Sequence, residues 1–172
     1  RALRDVTESY GGTYFASAVG EVNATTLMHE KGAIIGGEGN GGVIYPAIHS
    51  GRDAMVGVAL FLSNLAHKKM TVSELKKTYP EYHIAKNKIE LSDKGLIDKI
   101  LSELKVIYAH ENVNDIDGVK ISFEDKREWV HLRKSNTEPI IRIYSEAPTE
   151  EEAVKLSEKV IAVAEKIISS AK

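Results

Sequence analysis

The 172-residue sequence contains no cysteine, only four prolines and no long hydrophobic run. Without cysteine the chain forms neither disulfides nor thiolate metal sites, a composition compatible with the cytoplasm. The longest apolar stretch, residues 54–62, is interrupted by Gly57 and is shorter than the roughly 20 residues of a membrane span. The formal net charge of −2 provides no basic surface of the kind that binds nucleic acid. We therefore expect a cytoplasmic protein whose partners include neither nucleic acid nor a membrane.

The first half of the sequence alternates short apolar segments with helical patterns. Strand-like segments occupy residues 13–16 and 33–35, and helical patterns cover residues 23–30 and 52–66. The last of these patterns is apolar nearly all round, which is typical of a buried helix. Strand, helix, strand and helix in this order predict an α/β domain with a parallel βαβ unit, here a partial three-layer domain over residues 1–78.

A polar stretch near residues 76–83 separates two regions whose patterns of predicted helices and strands differ. Thr71 and Glu74 form a plausible capping box for a short helix that must stop before Pro80. We take this stretch as the boundary of a second domain, residues 79–172.

The second half predicts an α+β domain, with helices packed on one face of a small antiparallel sheet. Ser92 can cap an amphipathic helix, and Thr149 precedes three glutamates that favour the start of a final helix. The predicted strands are residues 83–91, 119–123, 129–133 and 140–145.

Residues 133–139, which we call the polar loop, connect two of these predicted strands. Small hydroxyls, an amide and guanidinium groups supply many hydrogen-bond donors on short stems, which suits phosphate oxygens better than a metal or an apolar ligand. Two guanidiniums close together repel unless an anion lies between them, and the backbone N–H groups of residues 135–137 can form an anion nest. The competing interpretation is a charged turn, since Ser, Asn and Thr are common turn residues. The candidate phosphate ligands are Arg133, Ser135, Asn136, Thr137 and Arg142.

Residues 36–42, which we call the glycine loop, follow the second predicted strand. Residues 37–42 match the dinucleotide pattern GxGxxG, but a β-branched and aromatic run follows where that fold requires a helix, so the pattern excludes a dinucleotide site. Glu38 and Asn40 provide a carboxylate and an amide that can grip sugar hydroxyls, and the glycines let a ring approach the backbone. The alternative is a flexible glycine turn.

The remaining polar residues give weaker signals. The six histidines show no metal-ligand spacing, and only His49, close after the glycine loop, is a candidate for proton transfer. Asp53 is expected at a helix N-terminus. Arg52 beside it is expected to form a structural salt link, and the alternative is that it reaches the glycine loop.

Three segments of this sequence resemble the α-D-phosphohexomutases, the family of phosphoglucomutase, phosphomannomutase and phosphoglucosamine mutase. They are GGEGNGG at residues 36–42, GRDA at 51–54 and RKSNTEPIIR at 133–142. The resemblance covers nearly the whole chain in the family's order. It implies that residues 1–78 are most of the family's third domain and that residues 79–172 are its C-terminal fourth domain.

The resemblance also implies a role for each loop. In the family, the glycine loop recognises the sugar and the polar loop binds the phosphate that is not reacting. Two positions depart from the family pattern, because Gly42 and Glu21 stand where some members have histidine. The implied sugar-binding residues are Glu38, Gly39, Asn40 and Gly41, and the implied phosphate-binding residues are Arg133, Ser135, Asn136, Thr137 and Arg142.

By the same resemblance, the family's phosphoserine and its magnesium loop belong to domains that precede Arg1. We therefore expect no catalytic residue and no metal site in this chain, and we expect the isolated fragment to be inactive. The expected partners are a hexose phosphate and the N-terminal domains of the same protein. The expected cofactors of the complete enzyme are Mg²⁺ and an activator of the glucose 1,6-bisphosphate type.

The implied reaction interconverts hexose 1-phosphate and hexose 6-phosphate through a phosphoserine and a bisphosphorylated sugar. Glucose, mannose and glucosamine phosphates all remain open as substrates, since one amide and one carboxylate do not distinguish a 2-amino from a 2-hydroxyl group. The alternatives are a non-catalytic module that binds sugar phosphates or anions, and a structural domain whose loops are only turns.

Overall fold

The computed structural model describes residues 1–91, 95–135 and 137–170. The chain divides into two compact units. The first unit comprises Leu3–Pro80, and the second comprises Arg1–Ala2 together with the chain from Glu81 onward. No helix within the described residues combines the length and the apolar character that crossing a bilayer requires.

The first unit contains a small antiparallel sheet with helices packed against it. Strands β1, β2 and β3 pair in that order, helix α2 contacts β1 and β3, and helix α3 contacts β2. The helices are α1 (Ala2–Ser9), α2 (Glu21–Lys31), α3 (Ala54–Lys68) and α4 (Val72–Lys76), and the strands are β1 (Gly36–Gly37), β2 (Val43–Tyr45) and β3 (His49–Arg52).

Side-chain caps fix the starts of two helices in the first unit. The Asp53 carboxylate accepts a hydrogen bond from the Val56 N–H at 3.0 Å, which begins α3 one residue later. The predicted capping box at α4 is confirmed, because Thr71 Oγ1 accepts from the Glu74 N–H at 3.3 Å and Glu74 accepts from the Thr71 N–H at 2.8 Å.

The strand pairing of the first unit differs from the expectation for a parallel βαβ unit. Residues 13–16 form no strand, residues 33–35 precede the two-residue strand β1, and the described strands of this unit pair antiparallel. Residues 13–16 are all exposed, and a short segment without a hydrogen-bonded neighbour has little to hold it extended. The predicted order of an α/β region followed by an α+β region is confirmed by the sequence of helices and strands.

The predicted burial of α3 was wrong. None of its residues is buried, and Met55 and Leu62 are 78% and 57% exposed. An apolar circumference predicts burial only if neighbouring elements cover every side. Within its unit this helix makes its main packing contact with the three-residue strand β2, which covers a narrow stripe.

The second unit is an α+β fold, as predicted. Its antiparallel sheet has the order β4-β8-β7-β6-β5, and α6 contacts β4, β8 and β7 while α5 contacts β6 and α6. The strands are β4 (His83–Glu90), β5 (Asn112–Asn114), β6 (Val119–Phe123), β7 (Glu128–Lys134) and β8 (Ile140–Ala147), and the helices are α5 (Gly95–Ile107) and α6 (Glu150–Ser170).

Alternation along each strand separates the two faces of this sheet. Val130, Leu132, Ile141 and Ile143 point toward the helices and are fully buried with Ile100 in one core cluster. The opposite face, which we call the distal face, carries the intervening side chains. These include Lys86, Lys88, His131, Arg133, Arg142 and Tyr144.

The predicted strands of the second unit agree with the structure within a few residues, and β6 has the predicted bounds. Strand β5 was not predicted, because it is three residues long and mostly polar. The proposed cap Ser92 lies outside the described residues.

Candidate functional site

The glycine loop is a tight hairpin between β1 and β2. Gly37 lies opposite Val43, the Glu38 N–H donates to the Gly42 carbonyl at 3.0 Å, and the Gly41 N–H donates to the Glu38 carbonyl at 3.1 Å. A strand follows the loop, so the structural context that a dinucleotide site requires is absent from this hairpin.

Glycine is required at two points of this hairpin. A Cβ on Gly37 would lie 2.1 Å from the Gly42 carbonyl oxygen, which excludes a side chain without movement of the backbone. Gly41 has a φ of +93°, in the region that favours glycine. The hairpin therefore holds Glu38 and Asn40 on a closely turned backbone. The other residues of the glycine loop are glycines, so the loop has no further side chains.

The two polar side chains of the glycine loop lie beside each other. Asn40 Oδ1 accepts from the Gly42 N–H at 3.0 Å, and Asn40 Nδ2 lies 3.5 Å from Glu38 Oε2. The Glu38 side chain is 19% exposed. A carboxylate offers about four lone-pair sites, so Glu38 retains capacity for hydroxyl donors beyond these contacts.

Arg52 connects the glycine loop to helix α2. Its Nη1 lies 3.6 Å from Glu38 Oε2, its Nε lies 2.8 Å from Glu21 Oε2, and its backbone N–H donates to Glu21 Oε1 at 2.9 Å. The backbone hydrogen bond from Arg52, assisted by its guanidinium, lowers the pKa of Glu21. Arg52 therefore forms the expected salt link and also reaches the loop, which orients the Glu38 carboxylate.

His49, the candidate for proton transfer, lies on β3 and is exposed. Its Nδ1 accepts from the Gly51 N–H at 3.2 Å. This contact uses Nδ1 within the local turn, so proton transfer by His49 would have to use Nε2.

The polar loop connects β7 to β8 as a hairpin, as the sequence pattern predicts. Arg133 and Arg142 lie directly opposite each other, and alternation places both side chains on the distal face. Cβ atoms of opposite residues are only about 5 Å apart, and like charges in such positions destabilise a sheet. The hairpin therefore concentrates positive charge at the base of a loop rich in hydroxyls.

A carboxylate lies near each of these arginines without forming a close bidentate pair. Arg133 Nε is 3.5 Å from Asp117 Oδ2, and Arg142 Nη2 is 3.9 Å from Glu138 Oε2. Arg142 is about half exposed, and its contact with Glu138 is at the distance limit for an ion pair. Such loose pairs exchange readily for a phosphate that offers several oxygens.

Ser135 and Thr137, two of the central residues of the polar loop, differ in burial. Ser135 is buried, and its N–H donates to the Ile140 carbonyl at 3.0 Å, so this group is not available to the predicted anion nest. Thr137 is exposed beside Glu138. Asn136, also a predicted phosphate ligand, lies outside the described residues.

His131 lies two residues before Arg133 on the same face. Burial lowers the pKa of His131, although a hydrogen bond with the Asp117 carbonyl opposes the shift. The lowered pKa favours the neutral form of this imidazole, and the guanidinium of Arg133 acts in the same direction as burial.

Sequence reasoning missed two carboxylates that contact the candidate residues. Asp117 reaches Arg133 from the β5–β6 turn, and Glu21 reaches Arg52 from α2. Neither link follows from local periodicity, because each joins residues more than ten positions apart. For Glu21, the available signal was that it stands where some members of the family have histidine.

Within residues 1–91, 95–135 and 137–170, no group of three or more histidines and carboxylates is arranged to hold a metal ion. We assign no step of a reaction to a metal held by the described side chains.

Two family models match the chain in succession. Residues 1–82 match the phosphoglucomutase/phosphomannomutase alpha/beta/alpha domain III, and residues 86–163 match the phosphoglucomutase/phosphomannomutase C-terminal domain. Among curated proteins, the chain is 30% identical over 167 residues to a probable phosphoglucosamine mutase of Methanopyrus kandleri, which covers 96% of this chain and 36% of that protein. The chain thus spans about a third of the length of such relatives.

Solved structures of the same family share the fold. A phosphoglucomutase/phosphomannomutase family protein of Burkholderia thailandensis superposes with a TM-score of 0.74 at 23% identity, over 96% of this chain and 36% of that one. An N-acetylphosphoglucosamine mutase of Aspergillus fumigatus, solved with glucose 1,6-bisphosphate, gives a TM-score of 0.63 at 17% identity, over 94% and 35%. The successive domain matches, the relatives and the shared fold establish that the chain belongs to the α-D-phosphohexomutase family.

Proposed function

We propose that this chain binds the hexose phosphate substrate of a phosphohexomutase. The observation that carries the proposal is the opposition of Arg133 and Arg142 at the base of the polar loop, with Ser135 between them in the sequence. Opposed guanidiniums cost stability unless an anion compensates them. A phosphate group supplies that charge, and its oxygens accept hydrogen bonds from the guanidiniums and from the hydroxyls of Ser135 and Thr137. Asn136 belongs to the same proposed set.

The glycine loop is proposed to recognise the sugar. Glu38 accepts hydrogen bonds from ring hydroxyls, Asn40 donates and accepts, and the backbone at Gly39 and Gly41 lets the ring come close. The loose contact between Arg52 and Glu38, at 3.6 Å, orients the carboxylate while leaving it able to accept other donors.

The two sequence domains are proposed to divide this work. Residues 1–78 correspond to the third family domain, with the glycine loop, and residues 79–172 to the fourth, with the polar loop. Successive matches at residues 1–82 and 86–163 support this division.

For the complete protein we propose interconversion of hexose 1-phosphate and hexose 6-phosphate through a phosphoserine and a bisphosphorylated sugar. The transferred phosphate and Mg²⁺ are assigned to parts of the protein outside this chain, and the isolated chain is proposed to be inactive. The bisphosphate complex of the Aspergillus fumigatus protein supports an activator of the glucose 1,6-bisphosphate type. A cytoplasmic location is part of the same proposal.

In this reaction the chain contributes positioning. Holding the phosphate that does not react fixes the distance and orientation of the hydroxyl that does, so binding energy from a remote group lowers the barrier. Glu38 and Asn40 would contact hydroxyl groups that glucose, mannose and glucosamine phosphates have in common. The substrate class proposed is therefore hexose phosphate, with the identity of the hexose open.

A coupled assay of the full-length protein with glucose, mannose and glucosamine 1-phosphates tests this proposal. We expect turnover of at least one of them and a KM that rises at least tenfold in Arg133→Gln, because a charge-assisted contact is lost. Lys134→Gln is the matched control. Lys134 is adjacent in sequence, pairs with Asp98 at 3.6 Å and alternates to the other face of the sheet. Absence of turnover with all three sugars would contradict the proposed activity, and equal KM values in both variants would contradict the phosphate assignment.

A further inference from the structure

A row of three cations crosses the distal face beside the polar loop. Arg133 on β7 lies opposite Arg142 on β8, and Arg142 in turn lies opposite Lys88 on β4. The three side chains share one face because each occupies the same register position of adjacent antiparallel strands. Lys88 is far from the two arginines in the sequence, so its place in this row does not follow from the sequence pattern.

Each cation of this row has a neighbouring carboxylate, and the carboxylate lies closer to the outer cations Lys88 and Arg133 than to the central Arg142. Lys88 Nζ is 2.7 Å from Glu90 Oε1, whereas Arg142 is 3.9 Å from Glu138 and Arg133 is 3.5 Å from Asp117. The Lys88–Glu90 pair is exposed, with 60% and 72% of the two side chains accessible, so water screens it and it exchanges easily. Lys88 is consequently able to turn from Glu90 to an incoming anion.

The strand that carries Lys88 is tied directly to the polar loop. The Leu91 N–H donates to the Pro139 carbonyl at 3.0 Å, which fixes the end of β4 against the loop. A cavity of about 470 Å³ opens at this place. It is lined by Lys88, Glu90, Leu91, Glu138, Pro139 and Ile140.

The carboxylates of Glu90 and of Glu138 in the polar loop interact electrostatically with Lys88. Glu90 raises the pKa of Lys88 most strongly, and Glu138 of the polar loop raises it further. An anion held at the loop would act on the ammonium in the same sense as Glu138, which favours the charged form.

We propose that Lys88 is a third cation of the phosphate site and contacts the phosphate together with Arg142. The inference rests on the proposed function, because it extends the site assigned to the polar loop. Two arginines supply planar, directional donors, whereas Lys88 supplies a mobile point charge on the side of the cavity. This combination tolerates a phosphate attached to either end of a sugar better than a fully rigid set does.

Titration of the isotope-labelled chain with inorganic phosphate, followed through amide shifts of Thr137 and Ile140, tests the inference. We expect Lys88→Gln to weaken phosphate binding roughly three- to tenfold. Lys86→Gln is the matched control and should change binding less than about twofold. Lys86 lies on the same strand and face, with its Nζ 5.9 Å from the Tyr144 ring centroid and no arginine opposite.

Two further variants separate the possible failures. Lys88→Arg should retain binding close to that of the wild type, since the charge remains, and Arg133→Gln should lose most of it. If Lys88→Gln and Lys86→Gln bind phosphate equally well while Arg133→Gln fails, the role of Lys88 is wrong and the polar loop stands. If Arg133→Gln also binds normally, the phosphate assignment itself is wrong. The amide spectrum of each variant establishes that the fold is intact.

Discussion

The polar loop and the glycine loop are held by their units in different ways. The polar loop connects two inner strands of a five-stranded sheet, and the core beneath it contains residues such as Ile141 and Ile143 with no exposed surface. The glycine loop connects a two-residue strand to a three-residue strand. Beneath it the first unit buries few large apolar side chains, among them Met28 and Ile44.

The first unit compensates with polar links. Arg52 joins Glu21 and Glu38, and the loop closes on itself through Asn40 and Gly42. Exposed ion pairs contribute little stability each, so this loop is expected to open more readily than the hairpin of the second unit. The polar loop is therefore expected to be the more rigid of the two loops, and the glycine loop the more adjustable.

The largest expected effect is on the stability of the second unit. Ile143→Ala should lower the free energy of opening of β7 and β8 by about 2–5 kcal/mol, because it leaves a cavity in a closed core. Leu62→Ala is the counterpart in the first unit and should change opening of α3 by less than about 0.5 kcal/mol, since that side chain is 57% exposed. Amide hydrogen exchange of each variant, compared with the wild type, measures both changes in the free energy of opening. A large effect of Leu62→Ala would show that the contrast between the units is wrong.

The next effect is on phosphate affinity. Arg133→Gln should weaken binding of inorganic phosphate by about tenfold or more, because a hydrogen bond between charged groups is lost. Calorimetry of the 172-residue chain at low ionic strength measures this change. Lys134→Gln again provides the control, and equal affinities of the two variants would remove the polar loop from the phosphate site.

A smaller and more selective effect is expected at the glycine loop. Glu38→Gln should weaken binding of glucosamine 6-phosphate by about three- to tenfold while leaving binding of inorganic phosphate unchanged, because only hydroxyl contacts are affected. The ratio of the two affinities, measured in one variant, isolates the sugar contribution. A parallel loss for both ligands would mean that Glu38 acts on the fold or on the phosphate.

The smallest effect concerns pH. The pKa of Glu21 is lowered chiefly by the hydrogen bond from the Arg52 backbone. A lowered carboxyl pKa stabilises the folded state above the ordinary value of 4.5, and this contribution is lost as the pH falls below 4.5 through the lowered value. Protection of the Arg52 amide from exchange, corrected for the intrinsic pH dependence of exchange, should therefore fall at acid pH in the wild type. It should change less with pH in Glu21→Gln, and identical profiles would contradict the link.

Several elements follow directly from the sequence because their causes are local. Strand β6 alternates Val119, Ile121 and Phe123 with polar residues, and α4 has its capping box within four residues. Elements whose causes are distant were missed or misplaced. Helix α3 has an apolar circumference that does not reveal which neighbours cover it, and β5 is too short and polar to show a period.

The candidate residues divide in the same way. The polar loop was recognisable because its donors are consecutive in the sequence. Its counter-charge Asp117 and the cation Lys88 were not, since they reach the site through strand register. Strand register is set by tertiary pairing, which a single sequence does not display.

The most direct test of the two-loop assignment is an amide-shift titration of the labelled chain with inorganic phosphate and, separately, with glucosamine 6-phosphate at millimolar concentration. Under this assignment, Ser135 and Thr137 shift with both ligands, whereas Glu38 and Gly42 shift only with the sugar phosphate. Shifts of Glu38 with inorganic phosphate, or an unchanged polar loop with both ligands, would contradict it.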